Sequence, residues 1–509
     1  MQTFSTNPRK FLSTRASKAT AALTIIALAL FSTVTYIQSR PETPRSLSAY
    51  YAQELQWQSC YENYQCADLL VPIDYTNLMT GTFNISVLKH PTTNKKKLGS
   101  LIVNPGGPGG SGVDYAYAAE YLFSPAILNA YDIVGFDPRG VSRSEPIICL
   151  TDKELDANYA SDAKPDNEKE FAQTLIDSKK FIQQCEEKNK HLTSFSTANA
   201  ARDMDILREA VGDKQLNYMG KSYGTFLGTL YAQFFPDKVG RMVLDGAVNP
   251  IISDFQQSLT QVIGFDKAFA AFATDCNKRN DCPLPKDKDA ATKFMKQLFK
   301  QAEKKPIKTK SDNRILSESL MVLGTASALY DSATGWPDLR KAIAEVKKGQ
   351  GNTFLKLADE YTGRLADGSY RSNEFDSAAI IDCLDFPDPR TIKEMKKDAR
   401  VFDEQAPLFG PYLAYSGLGC KYFETPKATT VVPTKTTNPI VIIGTTGDPA
   451  TPYQWAKGLN KILTNSVLLS LIGDGHTGQG RGSACVDNAM DVYLLQGEAS
   501  KKSLPVRCK

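Results

Sequence analysis

Short apolar runs, each stopped by glycine, proline or a polar turn residue, recur along this chain and constrain its fold more than any other feature. Runs of this kind, separated by stretches with helical spacing, are typical of buried parallel strands in repeated strand–helix–strand units. The sequence therefore predicts an α/β fold with a mostly parallel sheet and helices on both faces. The predicted strands span residues 83–88, 101–103, 133–136, 216–219, 242–244, 440–443 and 467–472.

The strand pattern stops after residue 250 and resumes after residue 410. Between these points, residues 318–330 and 339–346 have helical spacing, and no strand-like run occurs. We expect this stretch to be a helical insertion that covers one end of the sheet. The predicted division of the chain is an export segment at 1–40, an α/β domain in two parts at 41–250 and 411–509, and the insertion at 251–410.

The composition is that of a globular protein. Of the 509 residues, 42% are hydrophobic and 23% are charged, which excludes a largely disordered chain. Sixty Lys and Arg residues against 56 Asp and Glu residues give a formal charge of +4. Because this balance is small and the only basic block is 95–97, no nucleic acid is expected as a partner.

The N-terminus has the organisation of an export signal. Basic residues between positions 9 and 18 precede residues 19–37, which carry no charge, and Arg40-Pro41-Glu42 ends the run. At about 1.5 Å per residue, such a run could nearly span a bilayer. A cleaved signal peptide and an uncleaved anchor both fit, so we expect a secreted or cell-envelope protein that meets the membrane only if residues 19–37 are retained. Residues 41–60 are interpreted as a linker into the folded domain.

The ten cysteines agree with export, because an even number in an exported chain predicts disulfides. The chain has no CxxC pair and only three histidines, so neither a metal site nor a cofactor is expected. On the order of a thousand connectivities are possible for ten cysteines. We hypothesise that neighbours in sequence pair, which gives 60–66, 149–185, 276–282, 383–420 and 485–508.

The sharpest chemical signal is Gly220-Lys221-Ser222-Tyr223-Gly224, directly after the predicted strand 216–219 and before a stretch with helical spacing. A G-x-S-x-G motif in this position predicts a sharp strand-to-helix turn that exposes a serine nucleophile. A purely structural turn is the alternative. A phosphate-binding loop is excluded, because that motif needs glycine where Gln215 stands.

A second glycine-rich loop, residues 104–110, follows the predicted strand 101–103. Residues 107–112 formally match the dinucleotide motif G-x-G-x-x-G, but Pro105 and Pro108 make the loop stiff. An acyl-transfer site needs backbone N–H groups that hold the oxyanion, one after the nucleophile and one from an early loop. We predict that Tyr223 supplies the first donor and that Gly106 or Gly107 supplies the second.

A serine nucleophile needs a base, and histidine is the usual one near neutral pH. The chain offers His90, His191 and His476. When the serine sits on a strand-to-helix turn of this type, the acid and then the histidine follow it in the chain. Only His476 follows Ser222, and it lies in a glycine-rich loop directly after the predicted strand 467–472.

The acid should lie between the serine and the histidine and follow a strand. Asp448 meets both conditions and is predicted to orient the imidazole of His476. Asp245, after the strand 242–244, is the competing candidate. Asp137 and Arg139 are predicted to form a structural ion pair or loop anchor.

Together, these motifs resemble those of the secreted tripeptidyl aminopeptidases, in the proline-iminopeptidase-like branch of the α/β-hydrolase serine peptidases. The resemblance covers the chain from about residue 57 to residue 508. It implies an α/β-hydrolase fold with an inserted helical cap, and an exopeptidase that releases short units from free peptide N-termini through an acyl-enzyme. The segments that carry it are 104–112 (NPGGPGGSG), 137–140 (DPRG), 220–224 (GKSYG), 243–246 (VLDG), 446–451 (TGDPAT) and 473–478 (GDGHTG).

On this resemblance, Ser222 corresponds to the nucleophile, Asp448 to the acid and His476 to the base, and the expected partner is a peptide substrate. Related enzymes bind the substrate's amino group with acidic cap residues, for which Asp382 and Asp385 are candidates here. A disulfide anchor or a solvated loop is the alternative role for that stretch. A carboxylesterase of the same fold, or an inactive hydrolase fold used for binding, are the other functions considered.

Overall fold

The computed structural model describes residues 44–310, 314–499, 504 and 506–509. The predicted export signal, with its apolar run 19–37, lies outside the described residues. Within the described part, no helix combines the length and apolarity needed to cross a bilayer.

Ten strands form one mixed sheet with the order β1-β2-β3-β5-β4-β6-β7-β10-β11-β12. The pairs β1–β2, β2–β3 and β3–β5 are antiparallel, and every later pair is parallel. The carboxyl ends of the parallel strands therefore meet at one edge, where such sheets carry their sites. The strands are β1 Gln58–Cys60, β2 Tyr64–Pro72, β3 Thr82–His90, β4 Gly99–Asn104, β5 Tyr131–Phe136, β6 Leu216–Lys221, β7 Val239–Asp245, β10 Ile440–Gly447, β11 Ser466–Asp474 and β12 Arg507–Cys508.

Alternate side chains of the parallel strands pack into separate hydrophobic clusters. Ile102 and Leu244 belong to one cluster, and their neighbours Val103 and Val243 to another. Since successive side chains of a strand point to opposite faces, both faces of the sheet are buried. The helices that accompany the sheet are α1 Leu47–Tyr51, α2 Gly112–Tyr117, α3 Ala119–Leu122, α4 Pro125–Ala130, α5 Asp152–Ala160, α6 Glu168–Lys188, α7 Thr197–Ala210, α8 Tyr223–Phe234, α17 Tyr453–Ile462 and α18 Ala484–Gln496.

The stretch predicted as an insertion is mostly helical and has a hydrophobic cluster of its own, which runs from Leu259 to Ala414 and includes Ala450. The predicted helices 318–330 and 339–346 are confirmed. The expectation of no strand was wrong, because β8 Ile307–Lys308 and β9 Ile315–Leu316 form a short antiparallel pair. The helices are α9 Asp254–Cys276, α10 Lys288–Lys304, α11 Glu318–Leu329, α12 Gly335–Val346, α13 Asn352–Thr362, α14 Glu374–Asp385, α15 Ile392–Gln405 and α16 Gly410–Leu413. The domain boundaries stay a prediction.

The seven predicted strands are all present, and the structure adds elements at the N-terminal side. The interpretation of residues 41–60 as a linker was wrong in part, because α1 and β1 lie within it. Strand β2 was not predicted, since its sequence YQCADLLVP mixes polar and apolar residues. Its buried positions alternate only over its second half.

All five predicted disulfides are confirmed: the cysteines pair with their neighbours in sequence, and none of the described cysteines is free. The bridges Cys149–Cys185 and Cys383–Cys420 close loops with sequence separations of 36 and 37. Cross-links of this number fit a protein that folds in an oxidising compartment.

Asp137 and Arg139 each anchor a loop, but through different ionic partners. The fully buried guanidinium of Arg139 donates to both carboxylate oxygens of Asp203, at 2.7 and 2.6 Å. Asp137 accepts from Ser111 and from the side chain of Arg143. The predicted anchoring role holds, whereas a direct pair between Asp137 and Arg139 does not form.

Candidate active site

Ser222 lies at the turn between β6 and α8 with φ 54° and ψ −124°, a conformation that non-glycine residues rarely adopt. The flanking glycines make this turn possible. A Cβ atom at Gly220 would lie 2.3 Å from the carbonyl O of Gly224, and one at Gly224 would lie 2.7 Å from Oδ1 of Asn104. The backbone N–H of Ser222 donates to the carbonyl O of Asp245 at 2.9 Å. The turn is therefore fixed to the tip of the neighbouring strand.

Asp448 and His476 form a buried hydrogen-bonded pair. Nδ1 of His476 lies 2.9 Å from Oδ1 and 3.0 Å from Oδ2 of Asp448. The carboxylate also accepts the backbone N–H groups of Ala450, Thr451 and Thr477, at 2.9, 2.8 and 3.1 Å. These bonds fix the carboxylate, and a carboxylate on Nδ1 leaves Nε2 as the free nitrogen of a neutral imidazole.

Asp245, the competing candidate for the acid, is buried and bonds the backbone instead. Its carboxylate accepts the N–H groups of Gly478 and Gln479 at 2.8 and 2.9 Å. Burial raises the pKa of Asp245. Nζ of Lys221 donates to the carbonyl O of Gln479 at 3.1 Å. These two residues join the serine turn to the histidine loop, which we define as residues 474–479.

The glycine-rich loop lies against the serine turn. A Cβ atom at Gly106 would lie 2.9 Å from Cβ of Ser222 and 3.2 Å from the backbone N of Tyr223. The N–H of Gly106 already donates to Oδ1 of Asn104 at 3.0 Å. Gly107 lines the cavity described next, and its N–H has no acceptor among the described residues. Tyr223 is the first residue of α8, so its N–H has no acceptor within the helix.

A cavity of about 770 Å³ opens above the strand tips and extends along the insertion. Ser222 and His476 both line it. Within the part of the chain that the structure describes, its lining includes Asp254, Glu374 and Asp382 but no Lys or Arg. The other two histidines lie elsewhere: His90 pairs with Glu120 at 3.3 Å, and the ring of His191 lies 6.4 Å from that of Phe83.

The comparisons with known proteins agree with this geometry. The sequence profile of the alpha/beta hydrolase fold family matches residues 99–482. The chain belongs to the alpha/beta hydrolase family.

The chain is also similar to curated proteins whose names indicate hydrolases. It is 33% identical over 501 residues to "Serine protease Hip1" of Mycobacterium tuberculosis (strain ATCC 25618 / H37Rv), covering 94% of this chain and 95% of the relative. It is 36% identical over 487 residues to "Carboxylesterase B" of the same strain, covering 90% of each. It is 28% identical over 471 residues to "Tripeptidyl aminopeptidase" of Streptomyces lividans, covering 88% and 86%. The protein is thus a serine hydrolase of the α/β fold, and the resemblance seen in its motifs is confirmed.

Three carboxyl groups that line the cavity of this hydrolase have raised pKa values. Burial, followed by the charges of Asp385 and Asp254, raises the pKa of Asp382 to about 8. Burial and the charge of Asp388 raise the pKa of Asp254 to about 6. Burial also raises the pKa of Glu374. The surrounding protein thus favours the uncharged form of each carboxyl group, and a cation that enters the cavity would favour the ionised form.

Of the two acids predicted to meet the substrate amine, only Asp382 lines the cavity. Asp385 accepts the backbone N–H of Thr197 at 3.1 Å and also its hydroxyl, so it anchors helix α7. Asp254 and Glu374 were not predicted from the sequence. Both lie in the first turn of a helix, where acidic residues are common, so their sequence position carries no signal of function.

Proposed function

We propose that this hydrolase is an exported aminopeptidase that removes short units from the free N-terminus of a peptide. The observation that carries the proposal is the lining of the cavity: its described residues include Ser222, His476 and three carboxyl groups, but no Lys or Arg. An ammonium group can ionise these carboxyl groups and pair with them, whereas a substrate carboxylate would meet no such partner. Relatives named as a serine protease and as a tripeptidyl aminopeptidase support the same class of substrate.

In the proposed mechanism, Oγ of Ser222 attacks the scissile carbonyl carbon while Nε2 of His476 takes the hydroxyl proton. The N–H groups of Tyr223 and Gly107 hold the oxyanion, and Asp448 stabilises the imidazolium. His476 then protonates the leaving amine as the C–N bond breaks, which leaves an acyl-enzyme on Ser222. Water, deprotonated by the same imidazole, attacks the ester and releases the N-terminal fragment.

Helix α14 carries two of the three carboxyl groups, at Glu374 and Asp382. Asp382 follows Glu374 by eight positions, which correspond to about 12 Å along the helix. Glu374 lies beside the glycine-rich loop 104–110, since a Cβ atom at Gly107 would be 3.3 Å from its Oε1. In the proposed binding mode the peptide runs along α14 from Glu374 towards Asp382. At about 3.3–3.6 Å per residue of extended peptide, an ammonium group at Asp382 would then belong to a fragment about three residues longer than one at Glu374.

Export is part of the proposal. Five disulfides in the described chain fit an oxidising compartment, and the predicted signal at 1–40 would direct the chain there. We infer a secreted or envelope location.

A carboxylesterase is the second candidate, favoured by the aromatic part of the lining. Phe226, Phe265, Phe409 and Trp455 face the same cavity, and an apolar acyl group would fit against them. The relative named "Carboxylesterase B" supports this alternative.

A matched pair of substrates tests the proposal. Tripeptidyl and aminoacyl anilides are compared with their N-acetylated forms and with an ester of an apolar acid, and the released fragments are identified by mass spectrometry. An aminopeptidase cleaves the free-amine anilides and loses most of its kcat/KM when the amine is acetylated. Equal rates on both forms, or preference for the ester, would favour the carboxylesterase. The Ser222→Ala variant is the control that assigns the activity to this site.

A further inference from the structure

Both main-chain groups of His476 are bonded to residues that connect it with the insertion. The N–H of His476 donates to the carbonyl O of Tyr330 at 2.8 Å. Its carbonyl O accepts from Nε of Arg481 at 2.9 Å. Nη1 of the same guanidinium lies 2.7 Å from Oδ2 of Asp331. Tyr330 and Asp331 follow helix α11 directly, so one segment of the insertion holds both main-chain groups of His476, the N–H directly and the C=O through Arg481.

Further contacts join this segment to the histidine loop. The ring of Tyr330 meets the imidazole of His476 edge to face, with centroids 5.2 Å apart and planes at 83°. Asp331 and Gly475 form an isolated antiparallel bridge. The hydroxyl of Ser332 donates to the carbonyl O of Asp474 at 3.3 Å. The insertion thus bonds the loop at three successive positions.

The ion pair between Asp331 and Arg481 is half-buried, with 33% and 29% of the side chains exposed. Burial alone would raise the pKa of Asp331, but the N–H of Ala333 and the charge of Arg481 outweigh it, so this pKa lies below its usual value. Asp331 therefore carries its charge at neutral pH, when the enzyme would work. Tyr330 also lines the cavity, so the same segment touches both the base and the space for the substrate.

We propose that Asp331 and Arg481 are positioning residues, which hold His476 in its reactive orientation by tying its carbonyl group to the insertion. The inference rests on the proposed function, in which His476 is the base. A base must keep within about 0.5 Å and 10–20° of its working geometry. Without the bond from Arg481, the carbonyl group of His476 loses its link to the insertion, and the orientation of the imidazole is less firmly fixed.

Kinetics of Asp331→Asn and Arg481→Gln test the pair on a free-amine anilide. We expect kcat to fall about tenfold, since small misplacements of a catalytic group are costly, while KM changes less than about threefold because no substrate contact is lost. Asp331→Glu, which restores the charge, should recover most of kcat. The double variant should be no slower than the slower single variant, since both changes break one chain of bonds.

The pair Arg314–Asp359 provides the matched control. It has the same N–O distance of 2.7 Å, both residues lie in the insertion, and neither lines the cavity. Arg314→Gln and Asp359→Asn should keep wild-type kcat. If both pairs lower kcat equally, or if Asp331→Asn and Arg481→Gln keep wild-type kcat, the positioning role is refuted. Retention of activity by Ser222→Ala would refute the proposed function instead, so the two failures are distinguishable.

Discussion

The strand tips and the insertion both line one cavity, yet their carboxyl groups differ in hydrogen bonding. At the strand tips, Asp448 accepts the imidazole and three backbone N–H groups, and Asp245 accepts two more. On the insertion, the carboxyl groups of Glu374 and Asp382 receive no hydrogen bond from any described residue. Catalysis needs groups that are already fixed by the protein. Substrate recognition benefits from groups whose hydrogen-bonding partner is supplied by the substrate. In the proposed function, the strand tips cleave the bond and the insertion selects the substrate.

The largest effect is expected at the strand tips, from Asp448→Asn. An amide there cannot accept the imidazole N–H and stabilise the imidazolium, and in a comparable triad this change lowers kcat by about 10⁴. Asp474→Asn, two residues before His476, is the matched control and should have little effect. Steady-state kinetics with circular dichroism would check both variants. A loss of less than tenfold in Asp448→Asn would remove Asp448 from the proposed triad.

Gly107→Ala is expected to lower kcat by about 10²–10³, the usual result of losing one oxyanion donor. Gly107 has φ 110°, and a Cβ atom there would lie 2.7 and 2.8 Å from the backbone N atoms of Gly109 and Gly110, so the loop has to move. Gly212→Ala is the control, because Gly212 has φ 86° and open space around it. It reproduces the backbone strain without the clash. Equal effects on kcat would show that strain alone was measured.

On the insertion, Asp382→Asn and Glu374→Gln should raise KM for free-amine substrates by about 10- to 100-fold, the cost of a lost charged hydrogen bond. An N-acetylated ester, which has no ammonium group, should be affected much less. The two variants should also differ in product length, with Asp382→Asn losing the longer fragments first. If these variants change kcat and leave KM unchanged, the insertion does not serve substrate recognition alone, and the proposed division of roles is wrong.

The smallest effect concerns stability, and its sign follows from the pKa of Asp382. The folded value of about 8 exceeds the ordinary 3.8, so between these pH values the folded state binds a proton that the unfolded state lacks. Stability contributed by this group therefore falls as pH rises towards 8. Asp382→Asn removes that slope. Urea denaturation should find the variant more stable relative to wild type at pH 8 than at pH 5, and an unchanged difference would contradict the raised pKa.

The strand tips could be predicted from sequence because their signals are local. A strand ending in glycine marks each of Ser222, Asp448 and His476, and parallel pairing alone brings such ends to one edge. The hydrogen bond between Asp448 and His476 agrees with that prediction.

The residues of the insertion that line the cavity could not be predicted in the same way. Which face of α9 or α14 meets the cavity depends on how eight helices pack, and no sequence period records it. The partner of Arg139 was missed for a related reason, since Asp203 lies 64 positions away. Long-range pairs of this kind have no local pattern.

The bridge Cys383–Cys420 begins at the residue after Asp382, in the last turn of α14. A shift of that helix by one turn would move Asp382 by about 5.4 Å, more than the length of one peptide unit. The disulfide opposes such a shift, because it covalently fixes the end of α14 that carries Asp382. In the proposed function, this cross-link would keep the length of the released fragments constant.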